Sequence, residues 1–296
     1  MQQLDIFADS IPVQRANALI TALSRFDRAA LRQALPALVC ADADYPELAH
    51  FQELCAFVDQ WPDDRNDAGW PRTLTAIAAT AQMISEQIIP ATAAAMGAAG
   101  MTLLRKLWSD LARASEAAGI GPEHPDCFAA ELYLRAEQAP AVVRTAQGVP
   151  GAAMRAAVQR WLSLGYYRCG KAEPSRSAVL RYAWLAPQRL PLLVEEMRDI
   201  ALARDWRDFQ SDLGDLDATW FPAWCAHEKK GGTTLLDNLP QGDGPTAYRL
   251  VAGLAIRERA GLGPAVYEDR AHLKRLSESF FAFYLRHRSD PHPRPR

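Results

Sequence analysis

Two groups of aspartates are the residues whose types and spacing best suit chemistry. Asp63, Asp64 and Asp67 crowd into the stretch WPDDRNDAGW. Asp205, Asp208, Asp212 and Asp215 recur at intervals of three, four and three, which puts them on one side of a helix that runs that far. Hard cations such as Mg2+ take oxygen ligands. Two carboxylate groups facing each other across a cavity would hold such ions. The same residues have a plainer use, because Asp and Asn are common in loops and at helix ends, and charged helix faces are normally solvated. Other chemistries lack their residue sets. His227-Glu228 has no second histidine at zinc-protease spacing, and Asp269 with His272 is a lone pair three residues apart. No Gly-x-Ser-x-Gly occurs. Residues 229–234 (KKGGTT) hold phosphate-loop residue types in the wrong order.

Asp63-Asp64-Arg65-Asn66-Asp67 resembles the DDxxD pattern of isoprenoid synthases, which are all-α and of similar length. The resemblance implies an Mg2+-dependent enzyme in which Asp63, Asp64 and Asp67 face Asp208 and Asp212. The chain departs from the family in two respects. The first cluster lies between Pro62 and Gly69, which read as loop, and the basic and glycine motifs of prenyl chain elongation are missing.

Gln3-Leu4-Asp5-Ile6-Phe7 resembles the peptide by which bacterial proteins dock on the DNA polymerase sliding clamp. That motif reads Gln-Leu, then Asp or Ser, then Leu-Phe, and Ile6 is the one departure. The resemblance implies an extended segment, with Gln3 as polar anchor, Leu4 as an intermediate contact, and Ile6 with Phe7 filling an apolar cleft. Such peptides bind through few anchors, so each one matters. Ile6 conserves volume but is β-branched, which weakens the fit. The alternative occupant of Leu4, Ile6 and Phe7 is the chain itself, with the three packed on the first helices.

The elements that must position these groups read as helices. Ala16, Leu19, Ile20 and Leu23 share a helical face after Ser10 and Pro12, and a second helix from Asp27 ends near Pro36. Phe51, Leu54, Cys55 and Val58 mark a third. A fourth starts at Pro71 and is kinked or ended by Pro90. Leu103, Leu104, Leu107, Trp108 and Leu111 mark another, stopped at Gly119. Helices are expected at 126–137, 140–147, 151–165, 175–186, 190–209, 216–228, 245–260 and 264–288. Residues 229–245 form the longest loop. No strand run bounded by hairpin turns occurs, so the expected fold is all-α, built of stacked helical hairpins in an α-solenoid-like or irregular bundle. Residues 128–149 resemble tetratricopeptide-type hairpins in their alanine and aromatic usage, without the 34-residue signature in order. Trp206, Trp220 and Trp224 are candidates for a ligand or peptide groove, against the commoner role of tryptophan as core.

The Gly/Pro-rich residues 119–125 suggest a joint. The expected organisation is an N-terminal peptide (1–9), helical regions at 10–120 and 121–288, and a disordered tail (289–296). A net charge of −2 over 296 residues argues against a general nucleic-acid binder. The five cysteines, Cys40, Cys55, Cys127, Cys169 and Cys225, are too far apart for a close-pair zinc site or a disulfide framework. No basic start precedes an apolar run, so no secretory signal is expected. Residues 87–104 carry no charge and reach about the minimum spanning length, yet they are mostly alanine with Pro90, Gly97 and Gly100. A buried helix pair is expected there. The whole is expected to be a cytoplasmic protein without cofactor or bound metal, acting through a protein partner.

Overall fold

The computed structural model describes residues 10–62, 69–228, 238–261 and 263–289. Residues 3–7, and Asp63, Asp64 and Asp67, lie outside the described residues. Among those described there are sixteen α-helices and no strand, as an alanine-rich, glycine-poor chain dictates. The fold is all-α. The chain divides into two compact units, Met1–Val142 and Val143–Arg296. Residues 119–125 therefore lie inside the first unit, where they join two helices.

The first unit holds α1 (Ile11–Arg25), α2 (Arg28–Ala41), α3 (Leu48–Gln60), α4 (Leu74–Met83), α5 (Ile89–Met96), α6 (Met101–Ala117), α7 (Ala129–Arg135) and the start of α8 (Ala139–Gln147). Helices α1 and α2 make a hairpin. Phe26 closes α1 in the left-handed region, and Asp27 opens α2 by accepting a hydrogen bond from the Ala30 amide at 3.0 Å. Helix α2 does not end near Pro36 as expected. It continues to Ala41, because Leu31 and Leu38 on either side of the proline are both buried, and that packing offsets one lost backbone bond. Helix α6 is central and packs on α1, α4 and α7. Its Leu103, Leu107, Trp108 and Leu111 are all buried, as their spacing predicts.

The fourth helix begins after Thr73, whose hydroxyl accepts from the Ala76 amide at 3.2 Å, and not at Pro71. Pro90 lies in the first turn of α5, just after a π-helical turn, Ile84–Ile88. The Ile89 amide reaches back to the Ile84 carbonyl, which widens the turn ahead of the proline. The helical run Leu74–Ala117 is long and apolar enough to cross a membrane by length and composition. Of its most apolar 18-residue window, 39% is buried within the structure. A Cβ on Gly100 would collide with the Thr92 methyl group.

The second unit holds the rest of α8 with α9 (Ala156–Arg168), α10 (Ala172–Leu185), α11 (Leu190–Met197), α12 (Ile200–Asp212), α13 (Phe221–His227), α14 (Asp243–Ala260), α15 (Pro264–Leu276) and α16 (Glu278–Ser289). Two helices expected to be continuous are each broken in two. Arg198 adopts φ 53°, and Asp199 caps α12 by accepting from the amides of Ala201 and Leu202 at 2.8 and 3.2 Å. Ser277 turns extended, and its hydroxyl accepts from the Phe280 amide at 3.1 Å. A cap satisfies amides that the helix start leaves open, and each is worth about 1 kcal/mol. The last three helices close around Glu258 on α14. Its Oε1 accepts from Arg270 Nε at 3.0 Å and Nη2 at 2.8 Å, and from the Tyr284 hydroxyl.

Two consequences can be measured. Gly100→Ala should cost about 1–3 kcal/mol in urea unfolding, through forced displacement of Thr92. Burial pushes the Cys55 thiol up to about 11. The unfolded thiol ionises first, so the native state binds more protons there and stability falls as pH climbs from the ordinary thiol range towards 11. Cys55→Ala should flatten that decline when urea midpoints are compared at successive pH values.

Candidate functional site

In the second unit, the side chains that suggested a site have structural partners. Trp220 and Trp224 are 6% and 1% exposed, so they line no surface groove. Trp224 stacks near Phe221 at 6.0 Å, and Trp220 packs on Phe280 at 5.2 Å. Only Trp206 is half-buried, and it too rests on Phe209 and Phe221, each at 5.4 Å. Trp220 and Trp224 are core residues. The rings of Trp206, Phe209, Phe221 and Trp224 form an aromatic nucleus between α12 and α13.

The acidic face of α12 points inward in part. Asp205 is 5% exposed and pairs with Arg176 on α10, Oδ2 to Nη2, at 2.7 Å. The same Nη2 reaches Cys225 Sγ at 3.3 Å, and the guanidinium lies 5.6 Å from the Phe221 ring centroid. Burial works against the Arg176 charge, but Cys225 and Asp205 outweigh it and hold the group above its ordinary value. Asp212 Oδ2 accepts from the Trp224 indole at 3.1 Å. Asp208 is half-buried, and Asp215 lies beyond the end of the helix. The spacing thus gave the shared side correctly as far as Asp212, but that side holds the core together. No group of three or more metal-ligating side chains occurs among the described residues.

Each unit carries a surface cleft among its described residues. That of the second unit, about 690 Å³, lies between the end of α9 and α11, with Tyr167, Arg168, Leu192, Glu195, Glu196 and Arg198 on its walls. Its charges are balanced, and Glu196 is engaged by Arg160 at 2.9 Å.

The cleft of the first unit, about 520 Å³, is cationic. Arg105, Lys106, Ser109, Asp110 and Arg113 come from α6, and Ala136, Glu137 and Gln138 from the turn between α7 and α8. Its floor is Asp110, 2% exposed. Asp110 Oδ2 accepts from Lys106 Nζ at 2.7 Å and from the Trp61 indole at 3.1 Å, while Oδ1 accepts from Arg113. Lys106 also lies 4.7 Å from the Phe26 ring centroid. Opposite, Glu137 sits at φ 57° and pairs with Arg105. Gln138 donates from Nε2 to Ser109 Oγ at 2.9 Å, tying the two walls together. Three cations are thereby held in fixed positions around an open space, the arrangement that binds anions. Sequence reading passed over this cleft because Arg113 is set apart from Arg105 and Lys106 by core positions of α6 and the second wall comes from a distant turn.

The buried pair of Asp205 and Arg176 makes the plain structural prediction. Arg176→Met should cost about 3–5 kcal/mol, because Asp205 would stay buried with its cation gone. Adding Mg2+ should leave the urea midpoint of the wild type unmoved if the α12 aspartates are structural.

Comparison with known proteins finds no matching family model, no matching curated protein and no matching solved structure.

Proposed function

We propose that this protein is a bacterial, cytoplasmic, non-catalytic scaffold that docks on the DNA polymerase sliding clamp through Gln3, Leu4, Asp5, Ile6 and Phe7. The observation that carries the reading is the agreement of residues 3–7 with the clamp-docking motif at four of five positions. Gln3 is the polar anchor, and Ile6 with Phe7 supply the apolar contact. The start of α1 is compatible with a peptide presented to a partner, since Ile11 is 65% exposed. The helical units behind the peptide serve as an α-solenoid-like body, on whose surface further proteins are brought to the clamp. The inward commitments of Asp205 and Asp212 favour this binding role over Mg2+-dependent catalysis.

The test is binding of the full chain to purified bacterial clamp by surface plasmon resonance. Phe7→Ala and Gln3→Ala should each weaken affinity at least about tenfold, as loss of an anchor residue does. Ile6→Leu, which completes the motif, should tighten it. Absence of saturable binding, or equal affinity for wild type and Phe7→Ala, overturns the proposal.

A further inference from the structure

The geometry points to a binding site for a small phosphoryl anion in the cleft between α6 and the turn joining α7 to α8. Arg105, Lys106 and Arg113 stand around it, each about half-exposed, so the cationic groups reach the open space. Against these three charges stand two carboxylates, Asp110 and Glu137. The carboxylates orient the cations and do not exhaust them. The contacts described use one donor from each side chain, whereas a lysine carries three and an arginine five.

Asp110 has the more specific part. It lies beneath the cleft, out of solvent, and it fixes the Lys106 and Arg113 side chains that rise on either side of it. Long cationic side chains on a surface helix ordinarily lose considerable rotamer freedom when they grip a ligand. Here that loss has already occurred in folding. Ser109 and Gln138 add hydroxyl and amide groups, already joined to each other.

The walls also narrow the ligand class. A space of about 520 Å³ exceeds a bare phosphate and suits a small phosphorylated molecule or a short polyphosphate. Ala136 is the only apolar side chain on the walls, so there is no aromatic or aliphatic platform for a base or an acyl chain. Arginine pairs match phosphate oxygens in fork geometry, which favours phosphoryl groups over a single carboxylate. A nucleic-acid backbone fits poorly for a separate reason. Residues 1–142 carry ten Lys/Arg against eighteen Asp/Glu, a net −8. An extended polyanion would feel that whole field, whereas a small anion inside the cleft feels mainly the cations within a Debye length of about 8 Å.

Isothermal titration of the full chain with inorganic pyrophosphate at about 0.15 M ionic strength, where the Debye length is about 8 Å, tests the site. Saturable binding with a Kd below about 1 mM is expected. It should weaken at least about tenfold in Arg105→Gln and in Arg113→Lys. Arg105→Gln leaves the Asp110 contacts untouched, and Arg113→Lys keeps a cation beside Asp110, so both variants should fold. Arg32→Gln, which breaks only the surface pair with Asp59, should bind as wild type. Absence of saturable heat, or unchanged affinity in both cleft variants, overturns the site. Duplex DNA that binds, loses affinity in the same variants and is not displaced by pyrophosphate overturns the small-anion assignment. Clamp affinity plays no part in any of these outcomes, so this site and the docking peptide stand or fall separately.

Discussion

A carboxylate taken out of water must be given cations, and the described residues meet that requirement at Asp110, Asp205 and Glu258. The cost of burying an ionised group is several kcal/mol, and it is recovered only with good geometry and several donors. Asp110 meets it with Lys106, Arg113 and the Trp61 indole. Asp205 meets it with Arg176, and Glu258 with Arg270 and Tyr284. The donors come from 3 to 49 residues away, so each acid can be satisfied only when separate segments have arrived in register. Apolar contacts alone would let these short helices slide, because alanine-rich faces interlock weakly. The buried acids remove that freedom by penalising every arrangement that leaves one of them alone.

The network around Asp110 shows how far such a point reaches. Trp61, whose indole it holds, follows the last turn of α3, and the Trp61 and Val58 carbonyls accept from Arg28 at the start of α2. Lys106 leans on Phe26, the residue that closes α1. One carboxylate on α6 thereby positions the ends of three other helices. The partners favour helix ends for a physical reason. The last carbonyls of a helix lack intrahelical donors, so a guanidinium such as that of Arg28 both satisfies them and complements the dipole.

Much of the fold was legible in the residues, and the failures have causes. Stripes such as Leu103, Leu107 and Leu111 report burial directly, because spacing alone fixes the face. The two missed breaks, at Arg198-Asp199 and Ser277, carried cap residues at the right places, but apolar periodicity runs through both and hides them. Pro36 misled in the opposite sense, since a proline inside a helix is tolerated where burial on either side outweighs one missing bond. Acidic residues were the hardest to interpret. Asp205 and Asp212 share a face by spacing, yet whether that face meets a cavity, a solvent layer or Arg176 and Trp224 depends on residues 12 to 29 positions away. Local pattern gives the direction in which a charge points and leaves its partner undetermined.

The same reasoning explains why the cleft over Asp110 was invisible beforehand, and why it combines stability with recognition. A carboxylate that only stabilises the fold would be expected to bring its cations inward with it. Around Asp205 this is what happens, where Arg176 is itself largely buried beneath Phe221. Around Asp110 the acid is buried while Lys106 and Arg113 remain half-exposed. The pair therefore spans the boundary between core and solvent, with the fixed end inside and the charged end presented outward. Rigidity of the exposed end comes from the energy of the buried one. A site of this kind is made by folding itself, and it persists for as long as α6 keeps its register against the ends of α1 and α3.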